Sequence, residues 1–151
     1  MRLLRLLLVL ACFSTYLFAA DSPFSGTWKL DPSKGHMTAP ALKSSTATIE
    51  ADEETLKLDQ DLVDDKDITT KLKFDAKFDG KDYPVTGDPD VDSVSLHRIN
   101  DHRMKATFKK AGKVTSISDC TVSKDGKTTT VAYTDYIEGK TQKGSAIYEK
   151  Q

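Results

Sequence analysis

The stretch Phe-Ser-Gly-Thr-Trp-Lys-Leu at residues 24–30 alternates apolar or small side chains with polar ones. Such alternation is typical of a β-strand that buries one face. The pattern recurs in segment after segment, and Gly, Pro, Asn and Asp fall between the segments roughly every ten residues. No segment shows the 3.6-residue period of an amphipathic helix. The sequence therefore predicts an all-β protein.

Nine candidate strands follow from this alternation. A meander of about 8–10 antiparallel strands closes most simply into a single up-and-down β-barrel. The interior of so small a barrel is either filled by side chains or holds one small ligand. The predicted strands span residues 24–30, 46–50, 55–62, 67–77, 92–99, 103–109, 113–123, 127–137 and 142–149.

Residues 1–20 have the design of a secretory signal peptide. Arg2 and Arg5 supply a positive start, an apolar run follows, and small residues end the segment at Ala19 and Ala20, after either of which cleavage is expected. Two other interpretations are a retained membrane anchor, for which the run is short, and a lipoprotein box ending at Cys12. We expect an exported protein, periplasmic or extracellular, whose barrel domain covers residues 21–151.

Charge and cysteine content narrow the possible partners. The formal net charge is −1, and cleavage would remove Arg2 and Arg5 but no acidic residue. A slightly acidic chain without a basic cluster is not expected to bind nucleic acid, or a membrane once the leader is removed. Cys120 alone would remain, so no internal disulfide can form. We expect a monomer held together by its core.

Strand register can be argued from the apolar pattern, because a slip of one residue turns every side chain to the other face. Asp125-Gly126 favours a two-residue turn that pairs Val122 with Thr129 and Ser118 with Tyr133. One inner face then carries several small hydroxyl groups. The side chains predicted to point inward are Ile68, Thr70, Leu72, Phe74 and Ala76 on one strand, and Val114, Ser116, Ser118, Cys120, Val122, Thr129, Val131, Tyr133 and Ile137 on two others.

The corner near residue 100 places an arginine inside the barrel. A three-residue loop at residues 100–102 keeps apolar partners together and aligns Arg98 with Met104, both inward. A buried guanidinium must be paired, since an isolated internal charge is very costly. Asp135, backbone carbonyls and an anionic ligand are the candidate partners.

Two longer connections are rich in Pro and Gly. Residues 31–45 contain Pro32, Gly35 and Pro40, and are too interrupted for a pair of helices. Residues 79–90 contain Gly80, Pro84, Gly87 and Pro89, and are predicted to fold over one end of the barrel as a gate.

Short motifs at both ends of the chain resemble those of known families. Gly26-Thr27-Trp28, just after the leader, resembles the Gly-x-Trp of lipocalins and, more broadly, the calycin superfamily. That resemblance implies that Trp28 closes the barrel floor. The two ends, residues 24–30 and 147–150, are also similar to those of fatty-acid-binding proteins. Their carboxylate clamp uses Arg-x-Tyr, but here Ala146 stands two places before Tyr148.

These observations favour non-catalytic binding of a small, mostly apolar ligand. The alternative is a structural or protein-interaction module with a filled barrel. No nucleophile motif, metal cluster or phosphate loop is present, so no enzyme activity, metal or cofactor is expected. The histidines are scattered, and Asp88, Asp90 and Asp92 lack the glycine and glutamate of a calcium loop. The candidate ligand-binding residues are Arg98, Tyr133, Tyr148, Ser116, Ser118, Phe74 and Met104.

Overall fold

Ten antiparallel strands form one closed barrel in the computed structural model, which describes residues 22–38 and 40–151. Each strand pairs with the next along the chain, and β1 closes the ring by pairing with β10. This confirms the all-β, up-and-down barrel. The predicted signal peptide lies outside the described residues. The strands are β1 (Gly26–His36), β2 (Leu42–Ala51), β3 (Thr55–Asp64), β4 (Thr69–Lys77), β5 (Tyr83–Thr86), β6 (Ser93–Asn100), β7 (Arg103–Lys110), β8 (Lys113–Val122), β9 (Thr128–Ile137) and β10 (Lys140–Lys150).

Antiparallel order places alternate connections at opposite ends of the barrel. We call the end formed by residues 52–54, 78–82, 101–102 and 123–127 the floor. The opposite end, formed by residues 37–38, 40–41, 65–68, 87–92, 111–112 and 138–139, is the mouth. Among the residues described, no helix has the length and apolar character needed to cross a membrane.

The segment predicted to be a gate contains a barrel strand. β5 pairs with β4 through Phe74 and Val85, and with β6 through Tyr83 and Val94. Residues 79–90 are therefore not a gate, because their centre closes the wall between β4 and β6. Pro84 argued against a strand here, because proline donates no backbone hydrogen bond and within sheets is usually confined to edge strands.

The first connection is also shorter than predicted. β1 continues through Pro32 to His36, with a register shift between Leu30 and Gly35 that absorbs the irregular residues. β2 begins at Leu42. Residues 37–41 alone connect the two strands at the mouth.

Both predicted hairpin registers are confirmed, although the turns differ. Val122 pairs with Thr129 and Ser118 with Tyr133. The backbone nitrogen of Ser123 donates to the carbonyl of Thr128, so the loop holds four residues instead of two, and only Gly126 has a left-handed φ, of 70°.

In the β6–β7 hairpin, Arg98 lies opposite Met104 as expected. The loop is not the predicted three residues. Asn100 already pairs with Arg103, and a register shift between Arg98 and Asn100 takes up the extra residue.

The hydrophobic core lies on the inner face of the barrel. Phe24, Leu56, Val94 and Leu96 are at most 1% exposed. Three residues predicted to be inward are instead exposed at the mouth. These are Ile68, Val114 and Ile137, which are 59%, 38% and 41% exposed. Ile68 precedes β4 and Ile137 ends β9, so both lie at the rim of the wall, whereas Val114 lies past a register shift between β7 and β8 and pairs with Lys109.

Candidate ligand cavity

The interior of the barrel contains a partly open cavity of about 220 Å³ between the floor and the mouth. Side chains from nine of the ten strands and from Phe24 line it, and most of them are aliphatic or aromatic. No charged side chain belongs to the lining that the structure describes. The polar members are Gln60, Ser118, Thr129 and Tyr148, with the thiol of Cys120.

Four of the predicted ligand-binding residues line this cavity, together with Trp28. They are Phe74, Met104, Ser118 and Tyr148. Phe74 packs edge-to-face with Phe108, with ring centroids 6.2 Å apart. Alternation in the strand predicted these inward positions, because each residue sits on the same face as buried neighbours.

A polar cluster interrupts the apolar lining. The Nε2 of Gln60 donates to Ser45 Oγ at 2.9 Å and to Tyr148 Oη at 3.2 Å. Ser45 and Tyr148 are 2% and 7% exposed. Burial raises the pKa of the Tyr148 hydroxyl, so this group stays neutral at ordinary pH.

Thr129 contributes an unsatisfied group to the same lining. Its Oγ1 is buried and has no hydrogen-bond partner among the described residues. Thr129 lies directly opposite Tyr148 on the neighbouring strand. A buried hydroxyl without a partner usually marks an unseen water or ligand.

Cys120 also lines the cavity, and its side chain is the protonated thiol and not the thiolate. Burial raises its pKa to about 12. Because the thiolate is the nucleophile, this cysteine has the character of a small apolar core residue.

Arg98 points inward, as predicted, but it lies in the floor instead of the cavity wall. Its Nη2 donates to the carbonyl oxygen of Asp52 at 2.6 Å and to Ser22 Oγ at 3.3 Å. Its guanidinium carbon lies 4.6 Å from the ring centroid of Phe78 and 6.0 Å from that of Phe24. A backbone carbonyl and aromatic rings therefore hold the charge.

The carboxylate suggested as a partner for Arg98 is engaged elsewhere. Asp135 accepts a hydrogen bond of 2.6 Å from Ser116 Oγ, its partner across β8 and β9. Tyr133 Oη accepts from the backbone nitrogen of Thr38 at 3.0 Å. Ser116, Tyr133 and Arg98 are thus outside the cavity lining, and their predicted role in ligand binding has no support from position.

Trp28 is buried at the floor end of β1, where the resemblance to lipocalins implies a closing tryptophan. Its Nε1 donates to the carbonyl of Phe24 at 2.8 Å, and the Lys150 ammonium lies 5.2 Å from its ring centroid. The indole is 2% exposed, and its polar atom is satisfied within the protein.

A second concavity of about 280 Å³ lies on the outer surface of β2 and β3. Its outward side chains include Asp59 and Asp61, which form ion pairs of 2.6 Å and 2.8 Å with Lys73 and Lys71. Its carboxylates are thus neutralised by neighbouring lysines. Within residues 22–38 and 40–151, no cluster of three or more His, Cys, Asp or Glu side chains is arranged to hold a metal.

Sequence reasoning missed Gln60 and Ser45. Gln60 interrupts an otherwise apolar inward series formed by Leu56, Leu58 and Leu62. A polar residue in a buried series is the signal that could have singled it out. Ser45 gave no signal, because it falls in the connection that was predicted to be irregular.

Comparisons of this chain with protein-family models, with curated proteins and with solved structures find no match. What the chain does must be inferred from its own residues.

Proposed function

We propose that this chain is a non-catalytic binding protein, an exported barrel of the lipocalin-like kind, that holds one small, neutral and mostly apolar molecule inside the barrel. The cavity of about 220 Å³ is the observation that carries the proposal. Export is inferred from residues 1–20, and the lipocalin-like relationship from Gly26 and Trp28.

The size of the cavity limits the ligand. An apolar protein cavity of about 150 Å³ binds benzene, and typical ligand pockets begin at about 300 Å³. A volume of about 220 Å³ lies between these limits. The ligand class is therefore a compact molecule of one or two rings, or a short branched chain, in place of a long fatty acid.

The chemistry of the cavity lining limits the charge of the ligand. Burial of an ionised group without a partner is very costly, and no charged side chain lines the described part of the cavity. Arg98 was a candidate partner for an anion, but its guanidinium lies outside the cavity lining, in the floor, where Nη2 donates to the Asp52 carbonyl. The ligand is accordingly neutral, without the anionic group considered from the sequence.

The alternative of an interaction module would gain from an exposed apolar patch at Tyr83, Pro84 and Val85. Val85 is instead 7% exposed within the barrel. The Tyr83 hydroxyl donates to Asp79 at 3.0 Å. These positions offer no such patch, so they do not favour the interaction module.

Native mass spectrometry of protein purified from its own host tests the proposal. We expect a mass increment from one bound neutral molecule, released on denaturation and identified by metabolite analysis. Ala106→Leu, which extends a cavity-lining side chain that is 4% exposed, should abolish the increment. Ala132→Leu, on the exposed outer face of β9, is the matched control. A bound molecule retained in Ala106→Leu would contradict binding inside the barrel.

A further inference from the structure

Gln60 occupies an unusual position in the cavity. Inward neighbours on β3 are leucines, whereas Gln60 places a carboxamide among apolar side chains. Burial of an amide costs free energy unless its polar atoms are satisfied. A leucine at this position would pack without that cost, so packing alone does not account for a glutamine.

The carboxamide is anchored through one atom only. Its Nε2 donates to both Ser45 Oγ and Tyr148 Oη, on strands β2 and β10. Two bonds from one nitrogen fix the plane of the amide. Among the described residues, none donates a hydrogen bond to Gln60 Oε1. The acceptor of a cavity-lining amide is thereby left without a protein partner.

We propose that Gln60 is the specificity-determining residue of the cavity, and that its Oε1 accepts a hydrogen bond from a neutral donor, a hydroxyl or N–H group, on the ligand. This inference rests on the proposed function. Ser45 and Tyr148 are positioning residues, since they act on the ligand through the amide. The ligand class is thus a compact apolar molecule with one neutral donor, such as a phenol, an alcohol or an indole.

The ligand needs a hydrogen-bond donor because Gln60 Oε1 has no hydrogen-bond partner among the described residues. A ligand that lacks a donor displaces water from Gln60 Oε1 without replacing its hydrogen bond, so the site disfavours such a ligand. A ligand anion would meet the acceptor oxygen without a compensating cation in the described lining. Neutral donors satisfy both conditions.

Three bicyclic probes of similar shape separate the possibilities. Indole carries an N–H donor, 1-benzothiophene has neither a strong donor nor a strong acceptor, and quinoline carries an acceptor. Isothermal titration calorimetry on the unmodified chain should give indole an affinity about tenfold higher than that of 1-benzothiophene. Quinoline should bind no better than 1-benzothiophene.

Two variants identify the residue responsible. Gln60→Leu should bind indole and 1-benzothiophene equally, and Tyr148→Phe should reduce the preference for indole, because the amide loses one of its two anchors. Tyr133→Phe removes the same hydroxyl from a tyrosine outside the cavity lining and should leave the preference unchanged. Thermal unfolding of each variant establishes that it is folded, and if Gln60→Leu does not fold, the Tyr148→Phe and Tyr133→Phe pair decides.

The outcomes distinguish this inference from the function on which it rests. If no probe binds, the proposed function fails and takes the inference with it. Equal binding of indole and 1-benzothiophene to the unmodified chain would keep the binding function and overturn the role of Gln60. Preference for quinoline would also overturn it, by showing that the amide presents its nitrogen to the ligand.

Discussion

Tyr133 crosses directly over Gly144, its pairing partner on β10, to reach the backbone nitrogen of Thr38. A Cβ at Gly144 would overlap the Tyr133 hydroxyl and lie 2.7 Å from the carbonyl oxygen of His36. The missing side chain at Gly144 thus makes room for the tyrosine ring that ties the β1–β2 connection to the wall.

We expect Gly144→Ala to lower the free energy of unfolding by about 1–3 kcal/mol, the usual cost of overpacking. The methyl group would displace Tyr133 and break its hydrogen bond with Thr38. Chemical denaturation measures the loss. In a Tyr133→Leu background the same change should cost clearly less, because the overlapping ring atoms are gone, and a fully additive double variant would contradict the coupling.

Arg98→Met tests whether this arginine serves the floor or a ligand. The change removes a hydrogen bond of 2.6 Å to the Asp52 carbonyl and the stacking on Phe78. We expect the free energy of unfolding to fall by about 1–3 kcal/mol. Affinity for indole should stay within about twofold, because Arg98 does not line the cavity. A stable Arg98→Met chain that no longer binds indole would assign this residue to the ligand.

Cys120 should be unreactive in the folded protein. With a pKa of about 12, about one thiol in ten thousand is ionised at pH 8. In a Cys12→Ser background, a thiol reagent should modify Cys120 only after a denaturant is added. Rapid modification of the native chain at pH 8 would show that the thiol is accessible.

The same thiol makes stability depend on alkaline pH. The unfolded thiol loses its proton above about pH 9.0, whereas the folded one keeps it to about pH 12. The unfolded state is therefore favoured as the pH rises through this window, by up to about 1.4 kcal/mol per pH unit. Cys120→Ala should show a shallower loss of unfolding free energy between pH 9 and 10, and equal slopes would refute the shift.

Asp119 should contribute to stability at neutral pH and lose that contribution in acid. Hydrogen bonds of 2.8 Å and 2.6 Å from Arg103 lower the pKa of its carboxyl below the ordinary 3.8. Because the folded pKa is the lower one, this contribution is present above about pH 3.8 and disappears as the pH falls through the folded value. The effect is small, since the pair is partly solvated.

Acid titration of stability measures this effect. Between pH 5 and pH 2, the unmodified chain should lose more unfolding free energy than Asp119→Asn does. Asp75→Asn, at an exposed carboxylate on the outer face of β4, is the control and should match the unmodified chain. Parallel curves for all three chains would rule out the contribution of Asp119.

The sequence predicted which residues of adjacent strands pair better than it predicted how far along the barrel axis an inward side chain lies. Arg98 and Tyr133 point inward because alternation and hairpin pairing are local properties. Whether an inward residue lies in the floor, the cavity or the mouth depends on the tilt and stagger of all ten strands together. Local patterns do not contain that information, so Arg98 was assigned to the cavity and Ile68 to the core.

The short seam formed by β5 has a consequence for aggregation. Only two residue pairs join β5 to β4 and two join it to β6, whereas β9 and β10 pair along almost their whole length. A closed barrel has no free strand edge, but detachment of β5 would expose two at once, on β4 and β6. Unpaired edges of this kind recruit strands from other chains. Four residues, Tyr83–Thr86, thus separate a closed barrel from an open sheet with two free edges.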